Sequence, residues 1–247
     1  MGDKPRLDQL LVTRGLFESR EKAQRAIMAG EVSVDERIVD KAGTRIAIDA
    51  IITVKAAERY VGRGGLKLEG ALAHFAIDPK GATCLDIGAS TGGFTDCLLQ
   101  HGAAKVWAID VGHSQLDWKI RSDPRVVVRE KLNARHLTRD DIPDPIDVCV
   151  IDVSFISLSL ILPPAVALLS NGAVVIPLIK PQFELRKEQV GKGGVVRDPA
   201  LHTEVVEKIR ALVATLPGLR WEGIIESPIL GGEGNKEFLA CLRAASA

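Results

Sequence analysis

Four charged residues placed at the ends of apolar runs carry the chemistry available to this sequence. Lys67 follows Gly62, Gly64 and Gly65. Asp152 closes Val148-Cys149-Val150-Ile151, and Lys180 closes Ile176-Pro177-Leu178-Ile179. Glu237 stands just ahead of Phe238-Leu239. A lysine that is crowded by a second cation and partly desolvated can have its pKa lowered toward neutrality, which makes it a usable base toward a hydroxyl. In such a set Lys180 is expected to activate the hydroxyl and Asp152 to orient Lys180. Glu237 would fix the hydroxyl or the other lysine, and Lys67 would hold the substrate and add positive potential. Taken singly, each residue also reads as a member of a surface ion pair. Lys67 starts a helical pattern, where a cation opposes the helix dipole, so its placement wants a reason.

These residues need a ligand beside them, and residues 84–96 supply the pattern for one. Cys84-Leu85-Asp86-Ile87-Gly88 is an apolar strand running into an acid, and Ala89-Ser90-Thr91-Gly92-Gly93-Phe94-Thr95-Asp96 follows as a small-residue turn into a helix. Glycines there let backbone approach a nucleotide-type ligand outside the carboxyl end of the strand. The spacing is D-x-G-x-x-x-G-G, not the G-x-G-x-x-G of diphosphate-binding turns. S-adenosylmethionine, which has no phosphate, suits it, with an acid near its sulfonium and amino end. Asp86 and Gly88 are expected to face the methionine moiety. Ser90 lies in the turn, and Gly92, Gly93, Phe94 and Thr95 shape it and start the helix. Asp110 ends the next apolar run, where an acid can accept hydrogen bonds from ribose hydroxyls. Asn133 follows the third run and can border the adenine. The competing readings are an ordinary strand-to-helix turn, a helix cap at Asp110 and a plain loop residue at Asn133.

The elements that must position these residues alternate. Strands are expected at about 83–88, 105–110, 125–129, 147–152, 173–179, 220–226 and 236–243, and helices at about 92–101, 114–121, 157–169 and 200–215. Alternating βα units predict an α/β fold, a doubly wound parallel sheet of the Rossmann-like kind. The last strand follows a loop, so it can run antiparallel. Ahead of this lies a separate α+β unit. Leu7, Leu10 and Leu11 form a helical face that Gly15 stops. Ser19 caps a second helix, which Gly30 ends. Short strands follow at 32–34, 37–39 and 51–54, with a turn at Asp35-Glu36. The expected domains are therefore 1–55, a linker at 56–63, and 64–247.

Composition narrows the classes. The 247 residues are 46% hydrophobic and 26% charged, with 32 basic and 32 acidic side chains, so no global basic field announces nucleic acid. Cys84, Cys97, Cys149 and Cys241 show no C-x-x-C spacing. No disulfide framework or metal site follows, which fits a reducing cytoplasm. The charged N-terminus has no apolar signal region. Residues 153–179 lack any charge, but Pro163-Pro164 and Ser170-Asn171-Gly172 break the run into loop, helix, turn and buried strand, and no membrane partner is expected. Asp152-Val153-Ser154-Phe155 is not the Asn/Asp-Pro-Pro-aromatic run of base-nitrogen methylation. Cys149, inside a strand, is misplaced as a nucleophile for cytosine C5.

The N-terminal residues R-L-D-x-x-L, G, S-R-x-x-A and I-x-x-G-x-V-x-V-D resemble the RNA-binding module named after ribosomal protein S4. That resemblance implies that Arg6, Arg20, Lys22 and Arg25 face RNA phosphates, although a solvated helix face reads equally well from the residues alone. With ten basic and nine acidic residues in 1–55, the module should be a salt-sensitive docking aid. The K-D-K-E set threaded through D-x-G-x-x-x-G-G resembles ribose 2′-O-methyltransferases of the FtsJ/RrmJ type. Along its full length the chain resembles the TlyA-type rRNA methyltransferases, long labelled hemolysin A. Lys67 matches R-G-G-x-K-L, Asp152 D-V-S-F-I-S-L, Lys180 K-P-Q-F-E and Glu237 G-N-x-E-F. The resemblance implies S-adenosyl-L-methionine as cofactor, ribosomal RNA or a ribosomal subunit as partner, and cytidine in 16S or 23S rRNA as target. A monomer is favoured, with oligomeric state otherwise open. One departure is the junction Glu58-Arg59-Tyr60-Val61, where the best-known member has an Arg-x-Trp-Val run. Residues 184–198 form a basic, glycine-containing loop beside Lys180. With Arg63, the residues Arg186, Lys187 and Lys192 are expected to meet RNA, and the loop to be mobile and to close over it. The alternatives are an RNA-binding protein with an inactive methyltransferase core and a membrane-active hemolysin. An S4-bearing pseudouridine synthase or aminoacyl-tRNA synthetase would need motifs that are absent here.

Overall fold

The computed structural model describes residues 4–55 and 58–246. Met1–Asp3 and Ala247 of the expected domains, and Ala56 and Ala57 of the expected linker, lie outside the described residues. The chain forms two compact units, the first ending at Glu58 and the second beginning at Arg59.

In the first unit α1 (Leu7–Thr13) and α2 (Arg20–Met28) pack over a small sheet of β1 (Val32–Val34), β2 (Arg37–Ile38) and β3 (Ile52–Val54), ordered β2-β1-β3 and antiparallel. The Ser19 side chain accepts from Lys22 N and so caps α2. Leu7, Leu11, Ala23, Ile27 and Val32 make the core. Gly15 and Gly30, both at positive φ, end the helices.

The second unit opens with α3 (Gly64–His74). It then alternates β4 (Thr83–Ile87), α4 (Gly93–Gln100), β5 (Lys105–Asp110), α5 (Trp118–Arg121), β6 (Val126–Glu130) and β7 (Ile146–Ile151). There follow α6 (Leu162–Val166), β8 (Leu169–Ile179), α7 (Pro181–Glu184), α8 (Pro199–Thr215), β9 (Leu219–Glu226) and β10 (Phe238–Ala244). The sheet order is β6-β5-β4-β7-β8-β10-β9, parallel from β6 through β8, with β10 antiparallel to both β8 and β9. The fold is α/β and Rossmann-like. Successive side chains on a strand point to opposite faces. Thus Cys84, Val106, Val148 and Ile176 pack on one side with α3 and α4, while Leu85, Trp107, Cys149 and Val175 pack on the other with α6 and α8.

Two expected helices are shorter in the structure. The helix expected at 157–169 is a 3₁₀ turn over Leu158–Leu160 followed by α6. Pro163 and Pro164 have no N–H to continue a helix from the preceding turn, but they fit the first turn of a new one. The strand after it starts at Leu169 instead of 173, since Leu169 pairs with Ile146 and the Ser170 hydroxyl donates to the Ile146 carbonyl at 3.0 Å. The helix expected at 114–121 begins only at Trp118. Ser114 sits at φ 55°, outside helical space, and Asp117 caps the turn that follows. Among the described residues no helix is long and apolar enough to cross a membrane.

Candidate active site

Strand ends bring the expected residues to one rim of the sheet. Asp86 is the penultimate residue of β4, fully buried among apolar side chains. One of its oxygens accepts from the Thr95 hydroxyl at 2.6 Å, and the other is buried with no hydrogen-bond partner among the described residues. Burial pushes its carboxyl up to about 7; the Thr95 hydrogen bond pulls down and nearby Asp152 adds to the rise. Gly88 follows at φ 87°, and a Cβ there would stand 2.4 Å from the Asp152 carbonyl oxygen. Only glycine lets β4 and β7 end so close together. Gly92, at φ 98°, precedes α4, and a Cβ on it would meet the Leu116 side chain at 2.9 Å.

Asp110, the last residue of β5, does not cap a helix. It accepts from Ser90 N at 2.9 Å and from Gly112 N at 2.6 Å, tying the turn after β4 to the turn after β5. Asn133 caps a 3₁₀ turn by accepting from Arg135 N. Gly88, Ser90, Asp110, Asn133 and Asp152 line a cavity of about 480 Å³, with Ile109, Leu132 and Ile156 among its apolar walls. Gly93 and Phe94 line an adjoining cavity of about 220 Å³ with Arg63, Gly64, Lys67 and Asp152. Asp86, expected to face the ligand, lines neither cavity and stays buried behind the turn; the glycine-sided turn and Asp110 suit a ligand with an apolar plane and hydroxyls.

The four charged residues form two pairs. Lys67 is buried, and its Nζ lies 2.5 Å from Glu237 Oε2. The acid from the start of β10 offsets the cost of a cation at the N-terminus of α3. A Cβ on Gly231 would collide with the Glu237 carboxylate, so that glycine makes room for it. Lys180 Nζ lies 2.6 Å from Asp152 Oδ1, an ion contact not aligned as a hydrogen bond, and donates to Ser154 Oγ at 2.9 Å. Lys180, Glu237, Ser154, Phe155, Gln182 and Phe183 line a third cavity of about 390 Å³. Asp152 faces the first two cavities and Ser154 the first and third, so one strand end and its loop divide a cofactor-sized hollow from a second one. Cys149 is fully buried, and burial raises its thiol pKa, which removes it as a nucleophile.

A profile of FtsJ-like methyltransferases matches residues 60–244, and an S4-domain profile matches residues 5–52. The chain belongs to the FtsJ-like methyltransferase family. It is 52% identical to YqxC of Bacillus subtilis, over 96% of this chain and 84% of that protein. It is 47% identical to the 16S/23S rRNA (cytidine-2′-O)-methyltransferase TlyA of Mycobacterium tuberculosis, over 98% of this chain and 91% of that one. A solved structure from Streptococcus thermophilus, labelled a hemolysin, superposes with a TM-score of 0.75 at 45% identity, covering 99% of this chain and 90% of its own.

In this FtsJ-like chain the expected RNA-facing residues divide. Arg6 and Arg20 both contact the fully buried carboxylate of Asp8, at 3.0 and 2.9 Å, and Gln24 donates to it at 2.7 Å. These donors hold the Asp8 carboxyl well below the usual carboxylate range. The two guanidiniums are therefore held in place as well as half exposed. Lys22 pairs with Glu18, and Arg25 is exposed. Arg63, Arg186, Lys187 and Lys192 are exposed in the second unit. The loop carrying the last three contains two 3₁₀ turns. Its far end is tied down: Asn235 accepts from Val196 N and donates to the Gly194 carbonyl, each at 2.9 Å.

The site also holds residues that the sequence patterns did not single out. Ser154 partners Lys180, and Thr95, expected only to shape the turn and start the helix, also partners Asp86. Phe155 is 90% exposed at φ 63°, its ring 4.9 Å from that of Phe183. A large apolar side chain in a strained backbone at a cavity mouth was a usable signal within the Asp152-Val153-Ser154-Phe155 run. Tyr60 of the junction is buried, and Val61 N donates to Asp96 Oδ2 at 2.9 Å, which fastens the junction to α4.

Proposed function

We propose that this chain is an S-adenosylmethionine-dependent methyltransferase acting on ribose 2′-hydroxyls of ribosomal RNA. The observation that carries the reading is the placement of two lysine–carboxylate pairs along one row of cavities: Asp152 faces the cofactor-sized cavity, Lys67 the smaller one adjoining it, and Lys180 and Glu237 the one beyond Ser154. When bound, the cofactor supplies an electrophilic methyl group. Gly88, Ser90, Asp110 and Asn133 would hold it, with Asp86 buried behind the turn they line and Asp110 lying where ribose hydroxyls are met.

Lys180 takes the proton from the 2′-hydroxyl as the oxygen attacks. A lysine does this only when neutral. Asp152 and Ser154 set the direction of Nζ. Lys67, held by Glu237, places positive charge near the ribose or its phosphate. Phe155 and Phe183 offer an aromatic surface for the base of an unstacked nucleotide. The half-exposed Arg6 and Arg20, held by the buried Asp8, support the N-terminal unit as a phosphate-contacting aid, which positions RNA without reading sequence. The names of the relatives support cytidine in 16S or 23S rRNA as the target, in free RNA or in a subunit.

Mapping 2′-O-methylation on rRNA from cells lacking the protein tests this. Complementation with the natural chain should restore one or more cytidine marks, and Lys180→Ala should not. Marks restored equally by both chains would overturn the assignment of Lys180, and no 2′-O mark under either would overturn the reaction class.

A further inference from the structure

Glu184 takes part in no step described above and lines none of the three cavities, yet its side chain is almost fully buried. Its two oxygens are spent on one neighbour. Oε1 accepts from Leu158 N and Oε2 from the Ser157 hydroxyl, both at 2.7 Å. From the outer side Lys208 of α8 reaches Oε2 at 3.2 Å. A buried carboxylate is costly unless its oxygens are met, and charge-assisted bonds of this length are among the stronger ones.

The position of these bonds gives them a consequence. Lys180 and Glu184 stand four residues apart, and so do Ser154 and Leu158. Lys180 holds Ser154 at one end, and Glu184 holds Leu158 at the other. The two tethers join the same pair of segments. Between them runs Ser154-Phe155-Ile156-Ser157, which includes a non-glycine residue at φ 63°. Such backbone persists only where its surroundings over-determine it. This short strap is also the partition: Ser154, Phe155 and Ile156 face the cofactor-sized cavity, and Ser154 and Phe155 face the second one.

We infer that Glu184 is a positioning residue for methyl transfer: it fixes the strap between the two cavities and thereby sets Ser154 and Lys180 against the substrate hydroxyl. This rests on the reading of Lys180 given above. Glu184 acts only through the strap, so its loss should lower the rate of the bound complex more than the binding of either ligand. A misplacement on the order of 1 Å in a reacting constellation can cost about 100-fold in rate.

The test uses the full-length protein with purified rRNA, with rates expressed per cofactor site counted by titration. Glu184→Ala should lower kcat by about 30-fold while KM for RNA and Kd for S-adenosylmethionine move less than about threefold. Glu184→Gln keeps an acceptor for Leu158 N and should recover most of the loss, to within about fivefold of the natural chain. Ser157→Ala, a milder change if Glu184→Ala does not fold, should lower kcat by about threefold to fivefold. Lys208→Ala, which touches Glu184 but not the strap, should stay within about twofold. Natural turnover in both Glu184→Ala and Ser157→Ala would overturn the proposal, and so would a Lys208→Ala loss equal to that of Glu184→Ala. Lys180→Ala is measured alongside. If it turns over normally, the reading of Lys180 has failed, whereas an inactive Lys180→Ala beside a fully active Glu184→Ala removes the strap alone.

Discussion

The two sides of the sheet rim are built by different means. On the cofactor side, contacts run between neighbouring strand ends, and the main chain shapes much of the hollow: Asp110 grips the amides of Ser90 and Gly112, and Gly88 lets two strands close in. On the other side, side chains far apart in sequence meet in pairs. Lys67 reaches Glu237 across 170 residues, and Lys180 reaches back to Asp152 and Ser154. A cavity made from backbone turns tolerates side-chain change and holds its shape. A cavity made from long-range charge pairs depends on every partner being present.

That contrast sets the order of expected effects. Lys180→Ala should lower kcat by about 1,000-fold, within the range a positioned general base supplies, with the Kd for S-adenosylmethionine changed less than about threefold. Isothermal titration beside single-turnover assays separates the two numbers, and a large loss of cofactor affinity would erase the distinction between the sides. Lys67→Ala leaves the Glu237 carboxylate buried without its partner and should destabilise the protein by about 3–5 kcal/mol in denaturant melts. A double change of Lys67→Met with Glu237→Leu should recover much of that stability but no activity. Asp110→Ala should weaken cofactor binding by about 10-fold to 100-fold, the worth of one or two hydrogen bonds to a charged group. Its kcat at saturating cofactor should stay within a few-fold of natural.

The smallest effect concerns pH. Burial holds the Asp86 carboxyl at about 7, whereas in the unfolded chain an aspartate ionises near 4. Between those values the folded protein holds a proton that the unfolded chain has released, so this residue's contribution to stability falls as pH rises from about 4 to about 7 and is flat above. Thermal melts of the free protein across that range should show a slope of a few degrees, and Asp86→Asn should flatten it. An unchanged slope in the variant would place the titration elsewhere.

Much of the fold was legible because its signals are local. Unbroken apolar runs mark the central strands, buried on both faces, and the charged residue near the end of each marks the rim, so the pattern alone places Asp86, Asp110, Asp152 and Lys180 near one another. The partner of Glu237 could not be settled this way. Whether it meets the hydroxyl or a lysine depends on β10 lying beside β8, a long-range pairing. Ser154 and Glu184 lie inside the matched runs D-V-S-F-I-S-L and K-P-Q-F-E, but a hydroxyl in a loop and an acid after Pro-Gln-Phe have no legible role until the fold brings them to Lys180 and to Leu158. The broken helix around Pro163-Pro164 departs from expectation for a local reason that is visible in the residues: the prolines that punctuate the apolar run also start a helix anew.

The placement of β10 has a further consequence, for the order in which the molecule is made. β8 and β9 are synthesised first, yet they are not neighbours; β10 must slide in antiparallel between them. Until it does, β8 presents an open apolar edge and Lys67 has no counter-charge from Glu237. Emerging chain can therefore hold a finished cofactor turn and an unfinished catalytic half at the same time. Completion of the sheet and pairing of Lys67 with Glu237 then become a single late event.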